Sequence, residues 1–320
     1  VYGQIAERVI ARQELTDREI RALCPPSMKD VPDLLAAADR LRGTFRGDSV
    51  ELCAIVNAKS GGCSEDCSYC AQSALSSAPI GRYPLLRRDA ILQKAREARQ
   101  AGVRRFSIVT VGRKASGEDL KRISSVVRDI RDLGLSPCAS LGLLGKDELL
   151  LLRDAGLERY HHNLETSERY FPEICRTHTY TDKMQTIGNA LDAGLAVCSG
   201  GIFGMGEGWQ DRVSMARVLE DLGIESVPIN FFVPIPDTPF GSRQAMKPVE
   251  ALAVIALYRF MLPRRQIRIC GGRVQVLGDL HPFIFQAGAD ALMTGNYLTT
   301  NGRSYGNDLD LLACQGLKVS

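Results

Sequence analysis

Excess charge of one sign, long apolar runs and repetitive segments are all missing from this chain. Forty Lys and Arg stand against 37 Asp and Glu in 320 residues, a formal charge of +3, and no basic tract carries interleaved aromatics. That balance argues against a nucleic-acid partner. The longest apolar stretch, Ala251 to Leu262, is interrupted by Arg259 and falls short of the roughly 20 residues that span a bilayer, so no membrane is expected. No secretory or transit signal is legible, and no low-complexity linker divides the chain. Ten cysteines in such a chain read as reduced thiols and metal ligands, not as a disulfide framework. A cytoplasmic, oxygen-poor setting is the expected home. What is present, 45% hydrophobic and 24% charged residues, is enough apolar material for a sizeable core.

Residues 1 to 46 have the spacing of amphipathic helices. Thr16 or Asp17 caps a helix through Leu23, Pro25-Pro26 stops it, and Val31 to Leu41 continues at helical period. We read residues 1–48 as a helical cap and residues 49–320 as the main domain. From Val50 onward, short runs rich in β-branched or apolar residues occur near 50–57, 105–111, 135–141, 159–164, 195–202, 226–233, 267–271 and 290–294. Helix-like segments lie between them, near 87–101, 118–133, 146–155, 181–193, 210–222, 248–262 and 279–287, and several end in Gly. Eight strands alternating with helices predict an α/β fold, a TIM-type (βα)8 barrel with its chemistry at the C-terminal mouth of the strands. An open doubly wound sheet is the rival architecture.

The loop after the first strand carries Cys63, Cys67 and Cys70 at C-x3-C-x2-C spacing. Thiolates suit iron-sulfur clusters and zinc, and a four-iron cluster has four ligand positions, of which three are filled here. The open iron accepts the amine and carboxylate of S-adenosylmethionine (SAM). Zinc would need a fourth ligand nearby, but no Cys or His follows before Cys138. The loop, with Tyr69 just before its last cysteine, is similar to the signature of the radical SAM superfamily, which implies a 4Fe-4S cluster with bound SAM.

Along the strands, residues two apart share a face. Strand four places His161, Asn163 and Glu165 together, and strand seven Arg268 and Cys270; polar groups there cost free energy unless they face a polar site. Cys138 and Cys198 lie on strands three and five. Facing inward with Cys270, they would form a second metal site; facing outward, they would be packing thiols. Cys53 is read as packing, and Cys175 and Cys314 receive no role. Gly200 to Gly208 invites a nucleotide-loop reading, but the G-x-G-x-x-G register fails and no Gly-Lys-Ser/Thr occurs.

Beyond the cluster loop, Asn57 to Ser73, Tyr160-His-His-Asn-Leu-Glu-Thr-Ser167, Thr177-His-Thr-Tyr180, Val197-Cys-Ser-Gly-Gly-Ile202, Glu225 to Asn230, the Thr238-Pro239 turn, Ile267-Arg-Ile-Cys-Gly-Gly-Arg273 and Gly295 to Thr300 resemble the biotin synthase family. The resemblance implies radical insertion of sulfur into dethiobiotin, consuming two SAM molecules because two unactivated C–H bonds must be broken. It implies that Cys63, Cys67 and Cys70 hold the radical-generating cluster and that Tyr69, Thr110, Glu165 and Ile202 line the SAM site. Asn163 and Asn230 would contact the substrate's ureido ring, and Thr299 and Thr300 its carboxylate. It further implies a low-potential electron donor such as flavodoxin or ferredoxin, and a homodimer. Cys138, Cys198 and Arg268 match ligands of the family's auxiliary 2Fe-2S cluster, but the strand-two cysteine position is Ser107, while Cys270 is an added thiol. We therefore expect an auxiliary cluster held by Cys138, Cys198 and Cys270, with Arg268 as a further candidate ligand, of 2Fe-2S or four-iron type. The competing readings are a related radical SAM enzyme of the hydrogenase-maturase or methylornithine-synthase kind, and a non-catalytic iron-sulfur scaffold.

Overall fold

Eight parallel strands close into a barrel in the computed structural model, which describes residues 1–24, 27–298 and 302–320. The barrel strands are β1 (Ser49–Lys59), β2 (Arg105–Thr110), β3 (Ser136–Ser140), β4 (Arg159–His161), β5 (Ala196–Cys198), β7 (Ser226–Phe231), β8 (Gln266–Ile269) and β9 (Ala291–Met293). β9 pairs back with β1, placing Leu292 opposite Leu52 and Met293 opposite Cys53, which shuts the ring. β6 (Gly201–Phe203) continues β5 after a break and pairs only with β7, and β10 (Lys318–Val319) pairs with the start of β1. The helices are α4 (Arg88–Gln100), α5 (Gly117–Asp132), α6 (Lys146–Asp154), α7 (Phe171–Ile174), α8 (Tyr180–Asp192), α9 (Trp209–Asp221), α10 (Pro248–Met261), α11 (Arg273–Leu277) and α12 (Tyr305–Cys314). Expected strands and helices recur, but α7, α12 and β10 lie outside the expected segments and β4 stops at His161. Strand five is split, and the helix expected near 279–287 is α11 followed by a 3-10 segment, Gly278–Ile284.

Strand period two divides the residues of the barrel between its interior and the helix layer. On β2, Phe106 and Ile108 are fully buried beneath the helices, while Arg105, Ser107 and Val109 face the interior. Each large apolar side chain buried in this way contributes about 1.5–3 kcal/mol. The interruption in strand five has a steric cause. A Cβ on Gly200 would lie 2.0 Å from the Pro228 carbonyl oxygen, and one on Gly201 would lie 2.4 Å from that of Glu165. Only glycine lets the backbones following β4 and β5 approach β7 so closely.

Three helices precede the barrel: α1 (Tyr2–Ile10), α2 (Asp17–Ala22) and α3 (Val31–Arg46). Thr16 caps α2 in a reciprocal box with Glu19. The stop expected at Pro25-Pro26 lies outside the described residues. α3 buries Leu34, Ala38 and Leu41 and packs across α10. That packing accounts for the apolar stretch from Ala251 to Leu262, since α10 is covered by α3 on one side and by the barrel on the other. Arg259 is tolerated there because its Nε donates to the Gly288 carbonyl at 2.7 Å and its Nη2 to Asp290 at 2.5 Å. Among the described residues, no helix is long and apolar enough to cross a membrane.

Candidate active site

Leaving β1 at the mouth of the barrel, the chain turns at Gly61 and Gly62, both in the left-handed region (φ 78° and 72°), into the cysteine loop. Cys63, Cys67 and Cys70 are half-buried and free. Cys70 Sγ accepts the Gln72 amide at 3.4 Å. The loop is tied down from across the mouth. Glu65 Oε2 accepts from His178 Nδ1 at 2.6 Å and from Thr177 Oγ1 at 2.9 Å, and Asp66 Oδ1 accepts the amides of Arg176 and Thr177. Cys175 Sγ lies 3.8 Å from Cys67 Sγ and 3.3 Å from His178 Nδ1. Hydrogen bonds from Cys67 and His178 outweigh burial and bring the Cys175 thiol down to about 4. Cys175, assigned no role from its sequence, is thus part of the loop's anchorage.

Below the mouth lies a cavity of ≈ 380 Å³, within the range of small-molecule sites. Tyr69 and Cys70 line its top. β4 ends at His161, yet Asn163 and Glu165 keep the inward parity and line the wall with it. Glu165 stands at φ 73°, where a non-glycine residue is strained. Its backbone is held there by bonds from Glu165 N to Gly200 O at 3.1 Å and from Ile202 N to Glu165 O at 2.9 Å. Ile202 lines the same cavity. Asn163 Oδ1 accepts the Gly200 amide at 3.2 Å and its Nδ2 donates to Glu165 at 3.3 Å. Asn230 Oδ1 accepts the Gly271 amide at 3.0 Å and its Nδ2 donates to the Gly201 carbonyl at 3.2 Å. Each amide is therefore oriented by the scaffold and keeps one N–H and one lone pair for a ligand.

The base of the cavity is unusually rich in sulfur and guanidinium. Cys138, Cys198, Cys270 and also Cys53 line it, with Arg105, Arg159 and Arg268. Glu51 is the common counter-ion, bound to Arg268, 3.4 Å from Arg105 and 3.7 Å from Arg159. Burial pushes the Glu51 carboxyl up, but the three guanidiniums more than offset it and bring it to about 2. Arg105 also lies 3.4 Å from Glu158 and Arg159 3.8 Å from Glu225, both more exposed carboxylates, so Glu51 is the buried acid among the three guanidiniums that face the thiols. Burial also pushes Cys198 up, yet a hydrogen bond with His161 and the charges of His161, Arg159 and Arg268 bring it down to about 6. Burial prevails at Cys138, raised to about 11, whose sulfur lies 3.6 Å from Arg105 Nη1. Arg268 Nη1 is buried with no hydrogen-bond partner among the described residues. An unmet guanidinium proton beside several thiols fits an anionic iron-sulfur group whose sulfides accept hydrogen bonds.

Expectation and structure differ at Cys53. Cys53 does not pack away from the chemistry: two residues beyond Glu51, it shares the inward face, as the period-two rule would have indicated. Thr110, expected at the SAM site, ends β2 with a buried hydroxyl that lacks a partner among the described residues. His162 stacks on Tyr160, with centroids 6.2 Å apart, and its Nε2 has no partner among the described residues. Thr299 and Thr300 lie outside the described residues.

Residues 58–219 match the profile of the Radical SAM superfamily, and residues 228–318 that of the Biotin and Thiamin Synthesis associated domain. Biotin synthase of Thermodesulfovibrio yellowstonii is 51% identical over 286 residues, 89% of this chain and 90% of the relative. Biotin synthase of Pelotomaculum thermopropionicum is 44% identical over 322 residues, spanning 100% of both chains. Among solved structures, methylornithine synthase superposes with a TM-score of 0.86 at 23% identity over 99% of this chain and 97% of its own. The FeFe-hydrogenase maturase HydG from Carboxydothermus hydrogenoformans does so with 0.82 at 17% identity over 100% and 79%. These distant likenesses speak for the barrel alone. With 44% and 51% identity to named relatives along nearly its whole length, the chain belongs to the biotin synthase family of the radical SAM superfamily.

Proposed function

We propose that this chain carries out the family's reaction, insertion of sulfur into dethiobiotin to give biotin, with an auxiliary iron-sulfur centre held by Cys138, Cys198 and Cys270 in place of a set that uses a strand-two cysteine. The observation that carries the reading is that Cys70 at the mouth and these three thiols at the base open onto one cavity. Cys63, Cys67 and Cys70 would hold the 4Fe-4S cluster. Bound at these sites, the cluster with SAM supplies a 5'-deoxyadenosyl radical able to take hydrogen from unactivated C–H bonds, and the auxiliary centre supplies sulfur.

The protein's own part is to bind, orient and exclude water. Tyr69 covers the upper wall beside Cys70, where an adenine would rest. Glu165, presented by its constrained backbone, has a carboxylate suited to accept both ribose hydroxyls. The remaining N–H and lone pair on Asn163 and on Asn230 suit the donor and acceptor of a ureido ring. The three-arginine cluster at the base offsets the charge of the thiolates and sulfides. Walls of barrel strands on every side shield a reactive radical from water. A low-potential flavodoxin or ferredoxin as electron donor, a homodimer, a cytoplasmic location and a division into a cap (1–48) and a barrel (49–320) complete the proposal.

The test is anaerobic turnover of reconstituted protein with dethiobiotin, SAM and a reductant. Biotin with about two equivalents of 5'-deoxyadenosine is expected, one for each C–H bond broken. Deoxyadenosine formed without biotin would overturn sulfur insertion as the reaction.

A further inference from the structure

The base of the barrel holds one more thiol than this reading uses. Cys53 sits on the inward face of β1 between Glu51 and Ile55, and it lines the same cavity as Cys138, Cys198 and Cys270. The sheet register places it further. Glu51 and Arg268 both pair with Ala291 of β9, and Cys53 pairs with Met293. Cys270, two residues beyond Arg268, therefore stands level with Met293 and Cys53, with one strand between the two thiols. Two interstrand steps of about 4.8 Å separate their Cα atoms by roughly 9–10 Å. A disulfide requires about 4.4–6.8 Å, and both thiols are free. The separation leaves space between the sulfurs for an inorganic group.

A second observation points to a ligand there. The Arg268 side chain is 3% exposed and bound to Glu51 and Gln266, yet its Nη1 has no hydrogen-bond partner among the described residues. Cys53, Glu51, Cys198 and Cys270 are among the ionisable groups around that guanidinium, with Arg105 and His161 also near it. A thiol that only filled space would have apolar neighbours. Cys53 instead faces a buried guanidinium, one nitrogen of which has no acceptor among the described residues, and two further thiols. On strand two, where the family's ligand would stand, Ser107 occupies the wall.

We propose that Cys53 is a protein ligand to iron in the auxiliary centre, standing in for the thiol that strand two lacks. This rests on the reading that the barrel holds a second cluster, and the experiment separates the two claims. In a chain whose radical loop is disabled by Cys63→Ala, Cys67→Ala and Cys70→Ala, anaerobically reconstituted iron and sulfide report the auxiliary centre alone. About four irons per chain are expected for a four-iron centre. Adding Cys53→Ala should lower iron and sulfide at least twofold and change the Mössbauer and EPR signatures. A small exogenous thiol such as ethanethiol should restore part of the iron, which a packing defect would not allow. Cys53→Ala in the chain with its radical loop intact serves as the folding control, because that loop should still load its own cluster. Unchanged iron, sulfide and spectra in the Cys53→Ala protein would overturn the role of Cys53 alone. Absence of iron from the loop-disabled parent would overturn the second cluster and this inference with it.

Discussion

The guanidinium of Arg268 is bound to the carboxylate of Glu51, a residue 217 positions away in sequence that enters from the neighbouring end of the closed sheet. The same carboxylate also faces Arg105 and Arg159, whose other acids, Glu158 and Glu225, are half-exposed or more, so one buried acid is shared by three buried cations. Glu51→Gln would leave those cations opposing each other in a site of low dielectric. Breaking a buried pair from one side costs about 3–5 kcal/mol, so the cluster-free chain should lose roughly 3 kcal/mol. Urea unfolding of the two proteins decides this, and a difference below about 0.5 kcal/mol, the size of an ordinary surface change, would refute a structural role.

Cys270 is the added thiol, two residues beyond Arg268, in the proposed auxiliary site. Cys270→Ser should reduce the iron and sulfide of the second cluster by at least half while the radical loop keeps its own. Anaerobic metal and sulfide analysis provides the check. A full second cluster in the variant would remove Cys270 from the ligand set.

His178 and Glu65 connect the cysteine loop to the segment before α8. A hydrogen bond to a charged group contributes about 1.5–3 kcal/mol, enough to change a loop-opening equilibrium roughly tenfold or more. We expect His178→Ala to release iron from the radical loop to an anaerobic chelator about tenfold faster than the parent. His178→Gln, which keeps a donor, should fall between them. Identical release rates for all three would show that the loop does not depend on this tie.

Protons at His281 should make stability depend on pH. Burial, with the charges of Arg273 and Arg303, holds this imidazole down at about 3, whereas an exposed one titrates near 6.5. The folded chain therefore binds fewer protons than the unfolded chain between these values. The stabilisation is complete above about pH 6.5 and is lost as pH falls toward 3, by about 1.4 kcal/mol per unit for this group. Unfolding midpoints of parent and His281→Gln at pH 7, 6 and 5 should converge as pH falls. Parallel profiles would contradict the assignment.

Much of this could be read from local chemistry. Short apolar runs alternating with helix-like segments specified the barrel, because a strand buried on both faces and a helix buried on one leave different patterns in sequence. The C-x3-C-x2-C loop specified its cluster site, because neighbouring thiols need no folding to be neighbours. Inward parity likewise brought His161, Asn163 and Glu165 together on one wall, even though β4 itself ends at His161.

Cys53 illustrates the limit. Period-two parity turns it inward, but the groups it meets there, Arg268, Cys198 and Cys270, are all more than 140 residues away in sequence. Cys175 is similar, acquiring its neighbours only where the segment before α8 crosses the mouth to meet Asp66 and Cys67. The kinds of ligand, the strand faces and the family reaction were determined by sequence alone. Which thiols share a floor, and which arginines Glu51 must hold, was decided only when β9 closed against β1. Ring closure brings the chain's distant ends side by side, and a linear pattern carries no record of that distance.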